Sequence, residues 1–303
     1  MRIATNTVFD TMTSEIQNLD SAQGTLQAQL STGLSISQPS DDPTTIASVL
    51  NLISENQQTT QFNSNATTAL QISQASYSGL TEMNQLSNTV DGIATQANNG
   101  TDSTTQLQSY AVQVNQYLEQ ALQLANSSFG GNYLYAGTAN DTPPFQATRN
   151  AQGQITAVAY VGNSSQAAIP LSQSTSISPT TDGATNQSMA DFMNQLVSLQ
   201  TALQSGDQSG VATAQTQLET TSDNLISAAA ESSAIQSGIQ SAQSLSTSLG
   251  QNLNTIISND SSADIATTAT KLTEAQTQYQ AVLAATARVM QTSLLTYLSS
   301  TTL

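Results

Sequence analysis

Two long stretches at opposite ends of the chain repeat apolar residues in alternating steps of three and four. In the first, Phe9, Met12, Ile16, Leu19, Leu26 and Leu30 share one stripe, with Gln23 filling the seat between Leu19 and Leu26. In the last, Ile265, Leu272, Ala275, Tyr279, Val282 and Val289 keep the same rhythm, and Leu283, Met290, Leu294 and Tyr297 widen it. The period is helical, and so narrow a stripe needs a second helix lying along it. The nearest candidate partner for each stripe is the other. Two extremities remote in sequence are therefore expected to pack against each other.

Between them the texture changes twice. After Gly33, the run Gln38-Pro39-Ser40-Asp41-Asp42-Pro43 breaks the first helix, and Asp42 before a proline reads as the N-cap of the next. That helix carries Ile46, Val49, Leu50 and Ile53, passes a polar stretch from Gln57 to Thr68, and resumes with Leu70, Tyr77, Met83, Leu86, Val90, Ile93 and Ala97. Asn98-Asn99-Gly100 stops it, and a third helix starts near Asp102 or Ser103 with Leu107, Tyr110, Val114, Tyr117, Leu118, Ala121 and Leu124 on its stripe. From Phe129, glycines and prolines punctuate short apolar runs such as Tyr133-Leu134-Tyr135 and 155–161, which is strand-and-turn spacing. Helical period returns at Met189, turns at Gly206 to Gly210, and then holds one heptad frame through Val211, Ala214, Leu218, Leu225, Ala228, Ile235, Ile239, Ala242, Leu249, Leu253 and Ile256. At 1.5 Å per residue that last helix runs about 70 Å.

These readings predict a mainly α chain with a small β-rich insert: a long antiparallel helical rod whose N- and C-terminal arms pair, with the β-rich domain at the tip. The expected divisions are an N-terminal arm and loop at 1–42, an ascending helical part at 43–128, the insert at 129–187, a returning helical part at 188–257 and a C-terminal arm at 258–303. Ordering the arms costs more backbone entropy than one narrow seam returns. They are expected to become firmly ordered when neighbouring copies cover more of their surface.

Composition narrows the function. Charged residues are only 8% of the 303, against roughly a quarter in ordinary soluble domains, so polarity rests on Ser, Thr, Gln and Asn. The formal charge of -16 sets 20 acids against four bases, Arg2, Arg149, Lys271 and Arg288, spread along the chain. Phosphate recognition needs clustered cations, which makes nucleic acid and anionic membrane surfaces poor partners. Cysteine is absent, and no segment approaches the ~20 consecutive apolar residues of a membrane span. Residues 1–10 lack the apolar run of a secretory leader, so export is expected to proceed without a cleaved signal.

Catalysis finds little footing. There is no histidine, which removes the usual general base and most zinc ligand sets. Asp41 and Asp42 sit between two prolines ahead of a helix, where capping explains them better than paired acid-base work or calcium binding. Gly130-Gly131-Asn132 lacks the spacing of a phosphate-binding loop and reads as a turn. Asn65-Ala66-Thr67 and Asn163-Ser164-Ser165 are acceptor triplets that a Ser/Thr-rich chain produces by chance. No enzyme, cofactor or metal site is predicted.

Several of these segments line up with one family. Ser31-Thr32-Gly33-Leu34 with Gln38-Pro39-Ser40-Asp41-Asp42-Pro43, then Gln96-Ala97-Asn98-Asn99-Gly100-Thr101, then Tyr133-Leu134-Tyr135-Ala136-Gly137 with Thr142-Pro143-Pro144-Phe145, resemble the flagellar hook-associated protein 3 family of the flagellin superfamily. The ending Ser293-Leu294-Leu295-Thr296-Tyr297-Leu298 is similar to that family's terminus, with Thr296 in place of its usual Asn. Leu34 stands where the family usually has Lys or Arg, and both arms are poorer in charge. The resemblance implies a secreted structural protein of the extracellular bacterial flagellum, a ring of like subunits between hook-associated protein 1 and the flagellin filament. It also implies passage, unfolded, through the flagellar type III export apparatus after a cytosolic chaperone has held the C-terminal arm. Two other readings stay open: a minor flagellin that polymerises into the filament, and a secreted adhesin whose binding part is the β-rich insert.

Overall fold

The computed structural model describes the backbone of residues 2–36, 38 and 40–300, and the side chains of these except 2–6, 8 and 293–300. Helices dominate: α1 (Arg2–Thr32), α2 (Pro43–Ala97), α3 (Thr104–Ala125), α4 (Gly183–Ser205), α5 (Gln208–Ser261) and α6 (Ile265–Ser300). Between α3 and α4 lie β1 (Ser128–Phe129), β2 (Asn132–Tyr133), β3 (Phe145–Arg149), β4 (Ile155–Tyr160), β5 (Ile169–Pro170) and β6 (Ser176–Ile177). The strands pair only with their sequence neighbours, as antiparallel hairpins β1-β2, β3-β4 and β5-β6. The mainly α class with a small β-rich region is the one the periodicities predict.

The chain divides into two compact units, residues 1–57 with 250–303, and residues 58–249. In the first, α1 packs along α6. The start of α2 meets the end of α5 there, with Val49 and Leu253 buried and the Asn56 Nδ2 donating to Asn254 Oδ1 at 2.9 Å.

In the second unit α2 and α5 run antiparallel, as a ladder of side-chain bonds records: Ser246 Oγ to Thr59 O, Gln243 Nε2 to Thr67 Oγ1, Ser222 Oγ to Asn84 Oδ1 and Gln215 Nε2 to Asp91 Oδ1. Their shared stripe joins α3 and α4 in one core around Leu80, Met83, Leu118, Phe192, Leu196 and Leu225, each fully buried. The polar stretch anticipated over 57–68 of α2 proves to hold buried seats at Thr59 and Ala66, and the stripe continues through Ala69, Ser73 and Ser76, all buried, whereas Tyr77 is exposed. Small and hydroxylated side chains hold those seats. At the centre the Ser73 and Ser232 hydroxyls lie 3.3 Å apart, and each also reaches the other's carbonyl.

The longest strand pair is finished by helix side chains instead of further strands. A two-stranded ribbon is marginal in water and exposes two unpaired edges. Here Asn126, at the end of α3, accepts from Phe145 N and donates to Phe145 O, both at 2.9 Å, on the β3 edge. Asn194 of α4 does the same for Val158 on the β4 edge. Phe145 and Val158 thereby point into the core, with Phe145 against the Tyr160 ring at 5.3 Å.

Several boundaries differ from the sequence reading for local reasons. Of Tyr133-Leu134-Tyr135 only Tyr133 is in a strand, because Leu134 and Tyr135 turn inward. The Tyr135 hydroxyl donates to Ser76 O at 2.8 Å, and it fits only because residue 79 is glycine: a Cβ there would lie 2.4 Å from the phenol oxygen. Helix α4 starts at Gly183, since Asp182 caps it through Thr185 N at 2.8 Å. The turn expected over 206–210 shrinks to Gly206 and Asp207, with Gly206 left-handed at φ 70°. The break placed at 258–264 shrinks to three residues, because α5 continues to Ser261.

Candidate assembly site

The terminal helix pair is held by a single stripe on each side. Along α1, Met12, Ile16, Leu19, Leu26 and Leu30 are half-buried, while the residues flanking each of them are almost all exposed. Along α6 the covered positions are Thr268, Leu272, Ala275, Tyr279, Val282, Thr286 and Val289, an unbroken three-four series. The pair is antiparallel: Gln23 crosses to donate to Ala275 O at 3.2 Å, and at the base Ala263 N donates to Gly33 O and Ser35 N to Ser261 O. Gln23, the gap in the apolar stripe, is thus the side chain that reaches the opposite backbone.

The tight exit from α1 needs glycine. Gly33 adopts φ 71° while its N–H closes on Gln29 O at 2.8 Å, a left-handed helix stop that any Cβ would strain. Gln29 Nε2 then holds Ser35 O at 2.8 Å. On the far side of the loop Asp42 caps α2, accepting from Thr44 N, Thr45 N and, at 2.6 Å, the Thr45 hydroxyl. That hydroxyl bond, with the two amides, holds the Asp42 carboxyl below its ordinary value. Asp264 caps α6 by the same geometry through Ala266 N, Thr267 N and the Thr267 hydroxyl, which lowers its carboxyl likewise.

Not every residue of the sequence stripe is covered by the pair. Phe9 is 41% exposed, Ile265 50%, Leu283 42% and Met290 47%. Ile265 opens its stripe in sequence, but the first covered seat is Thr268, one step on. Leu283 and Met290 lie beside the stripe on the uncovered flank. Leu294 and Tyr297 fall within α6 but outside the described side chains. Thr268, Thr286 and Gln23 are the seats an apolar pattern passes over; their three-four spacing was the only signal available for them.

Residues 3–140 match the family described as the bacterial flagellin N-terminal helical region. The chain is 32% identical over 155 residues to flagellar hook-associated protein 3 of Salmonella typhimurium, covering 50% of this chain and 49% of that protein. It is 29% identical over 146 residues to flagellar hook-associated protein 3 of Escherichia coli, covering 48% and 46%. The matched stretch spans about half the length of these curated relatives. In fold it is similar to a Vibrio parahaemolyticus protein assigned as flagellar hook-associated, with a TM-score of 0.65 over 73% of this chain and 100% of that one, at 16% identity. Residues 3–140 are thus similar to the flagellin N-terminal helical region, and about half of the chain is similar to flagellar hook-associated protein 3.

Proposed function

We propose that the chain is a structural, non-enzymatic subunit of the bacterial flagellum that forms the junction ring between hook-associated protein 1 and the flagellin filament. The half-covered terminal pair carries this reading. Phe9, Ile265, Leu283 and Met290 stay 41 to 50% exposed on helices that already share one seam. Further copies packed beside the pair remove that surface from water, each large side chain contributing up to about 1.5–3 kcal/mol when fully covered. In this reading 1–42 and 258–303 are assembly arms, and the seam residues Phe9, Met12, Ile16, Leu19, Leu26 and Leu30 face Leu272, Tyr279, Val282 and Val289 before neighbouring copies complete the packing. In sequence, Leu294 and Tyr297 widen the same stripe.

Export follows the same economy of contacts. Arms held by one stripe open readily into an extended chain, which suits passage through the flagellar type III apparatus and prior capture of the C-terminal arm by a cytosolic chaperone. Low charge on the arms means that subunits meet through apolar and neutral polar groups, without nucleic acid or membrane as a partner. Deleting the gene in the source bacterium should leave hooks without filaments and flagellin shed into the medium, with both defects reversed by the intact gene. Normal filaments on the deletion strain contradict the proposal. Purified chain that elongates into filaments from seeds points instead to a minor flagellin.

A further inference from the structure

Away from the terminal helices, the β1-β2 hairpin, the segment after it, β5 and the loop at Pro179 and Thr180 enclose a cavity of about 160 Å³ against α2. Its lining contains no charged side chain. Two aromatic residues, Phe129 and Tyr133, and the aliphatic Ile169 supply C–H and ring surface, whereas Asn132, Asn140 and Thr180 supply neutral hydrogen-bonding groups. Among the described residues, the side-chain amides of Asn132 and Asn140 have no hydrogen-bond partner within the protein. The Thr180 hydroxyl oxygen is buried without one. Elsewhere in the insert amides are committed, as Asn163 is to Thr138 and Ser165, and Pro170 O accepts from Asn65 of α2. The Asn132 and Asn140 amides are therefore free to hydrogen-bond a guest through both their oxygen and their N–H groups.

The lining selects a ligand class. An ion is disfavoured, because a charge taken from water into a neutral cavity finds nothing to pair with. A purely apolar ligand leaves both amides unused. The cavity is about half the roughly 300 Å³ at which pockets for drug-sized ligands begin, which admits one six-membered ring and not a chain. We propose that it binds a single neutral pyranose unit, its C–H face on Tyr133 and Phe129 and its hydroxyls on Asn132 and Asn140. The site lies in the β-rich insert, and its existence does not depend on the assembly role of the terminal helices.

Saturation-transfer NMR on the full chain tests this, with glucose, galactose, mannose and N-acetylglucosamine as probes and cyclohexanol as a ring of matching size bearing one hydroxyl. At least one sugar should bind saturably and outcompete cyclohexanol. Asn132→Ala and Asn140→Ala should each weaken that sugar about tenfold, the loss of one good hydrogen bond, and Tyr133→Ala by more. Asn132 is exposed, so its variant keeps the test valid even where Tyr133→Ala perturbs folding. Binding of the methyl glycoside as well as the free sugar assigns the site to glycan ends; binding of the free sugar alone assigns it to monosaccharides. No transfer from any sugar, equal competition by cyclohexanol, or unchanged affinity in the asparagine variants overturns the proposal.

Discussion

The terminal pair and the middle of the molecule are built on one three-four repeat and complete it differently. In the midsection of α2 the seats Ala66, Ala69, Ser73, Ser76, Leu80, Met83, Ser87 and Val90 are all buried, although three are serines. In α1 every described seat from Met12 to Leu30 stays half-exposed, although all but Gln23 are apolar. Side-chain hydrophobicity therefore does not set burial here; the number of neighbours does. Helices α3 and α4 and the β3-β4 pair close over the seats from Leu80 on, Leu171 and Ile177 cover Ala66 and Ala69, and α1, among the described residues, packs mainly along α6.

The largest expected effect separates the two regions directly. Phe192, fully buried on α4, should cost about 3–5 kcal/mol when cut to Ala. Leu19→Ala should cost under about 2 kcal/mol in the dilute monomer, because that side chain is only partly covered. Urea unfolding followed by circular dichroism compares them, and equal losses break the distinction. Next comes the notch in α2: Gly79→Ala should destabilise by about 1–3 kcal/mol by forcing the Tyr135 hydroxyl aside. On a Tyr135→Phe background the same change should be near neutral or favourable, since Ala is the better helix former. A penalty that persists there means the notch has another cause.

A smaller effect probes the serine layer. Ser73→Ala or Ser232→Ala alone should lose about 1 kcal/mol, and the double variant should recover most of it, since both partners become apolar together. Additive losses in that cycle show that the hydroxyls do not act as a pair. The smallest effect is on the arms and depends on pH. Asp42 and Asp264 titrate lower in the folded chain than their ordinary 3.8. Their caps therefore contribute fully above that value and are lost as pH falls through the folded one. Helicity of the wild type should decline in that acid window more steeply than that of an Asp42→Asn, Asp264→Asn double variant; identical acid profiles would remove the caps from the account.

Much of this contrast was visible in the sequence, and what was hidden has a physical reason. Period gave the helices and their two terminal stripes, and the Asp-Pro step gave Asp42 as a cap, because each depends on residues close in the chain; the pairing of the ends followed from each stripe needing a partner. The buried Ser73 and Ser76 seats escaped because an apolar filter reads hydroxyls as surface, while small side chains suit close helix approach once a partner hydroxyl is present. Gly79 carries no signal of its own in the sequence; its role appears only when Tyr135, far along the chain, arrives beside it. Asn126 and Asn194 carry no signal in the helical pattern, and only the placement of β3 and β4 makes them strand partners. The exposed flank of Ile265, Leu283 and Met290 was part of the legible stripe, but which face α1 would cover was not.

Amide hydrogen exchange on the dilute full chain, repeated on the assembled ring, tests the central contrast most directly. The account predicts fast exchange through α1 and α6, slow exchange through the 66–90 segment of α2 and its α5 partner, and protection of the arms gained only on assembly. Arms as slow to exchange as that core in the isolated molecule would contradict it.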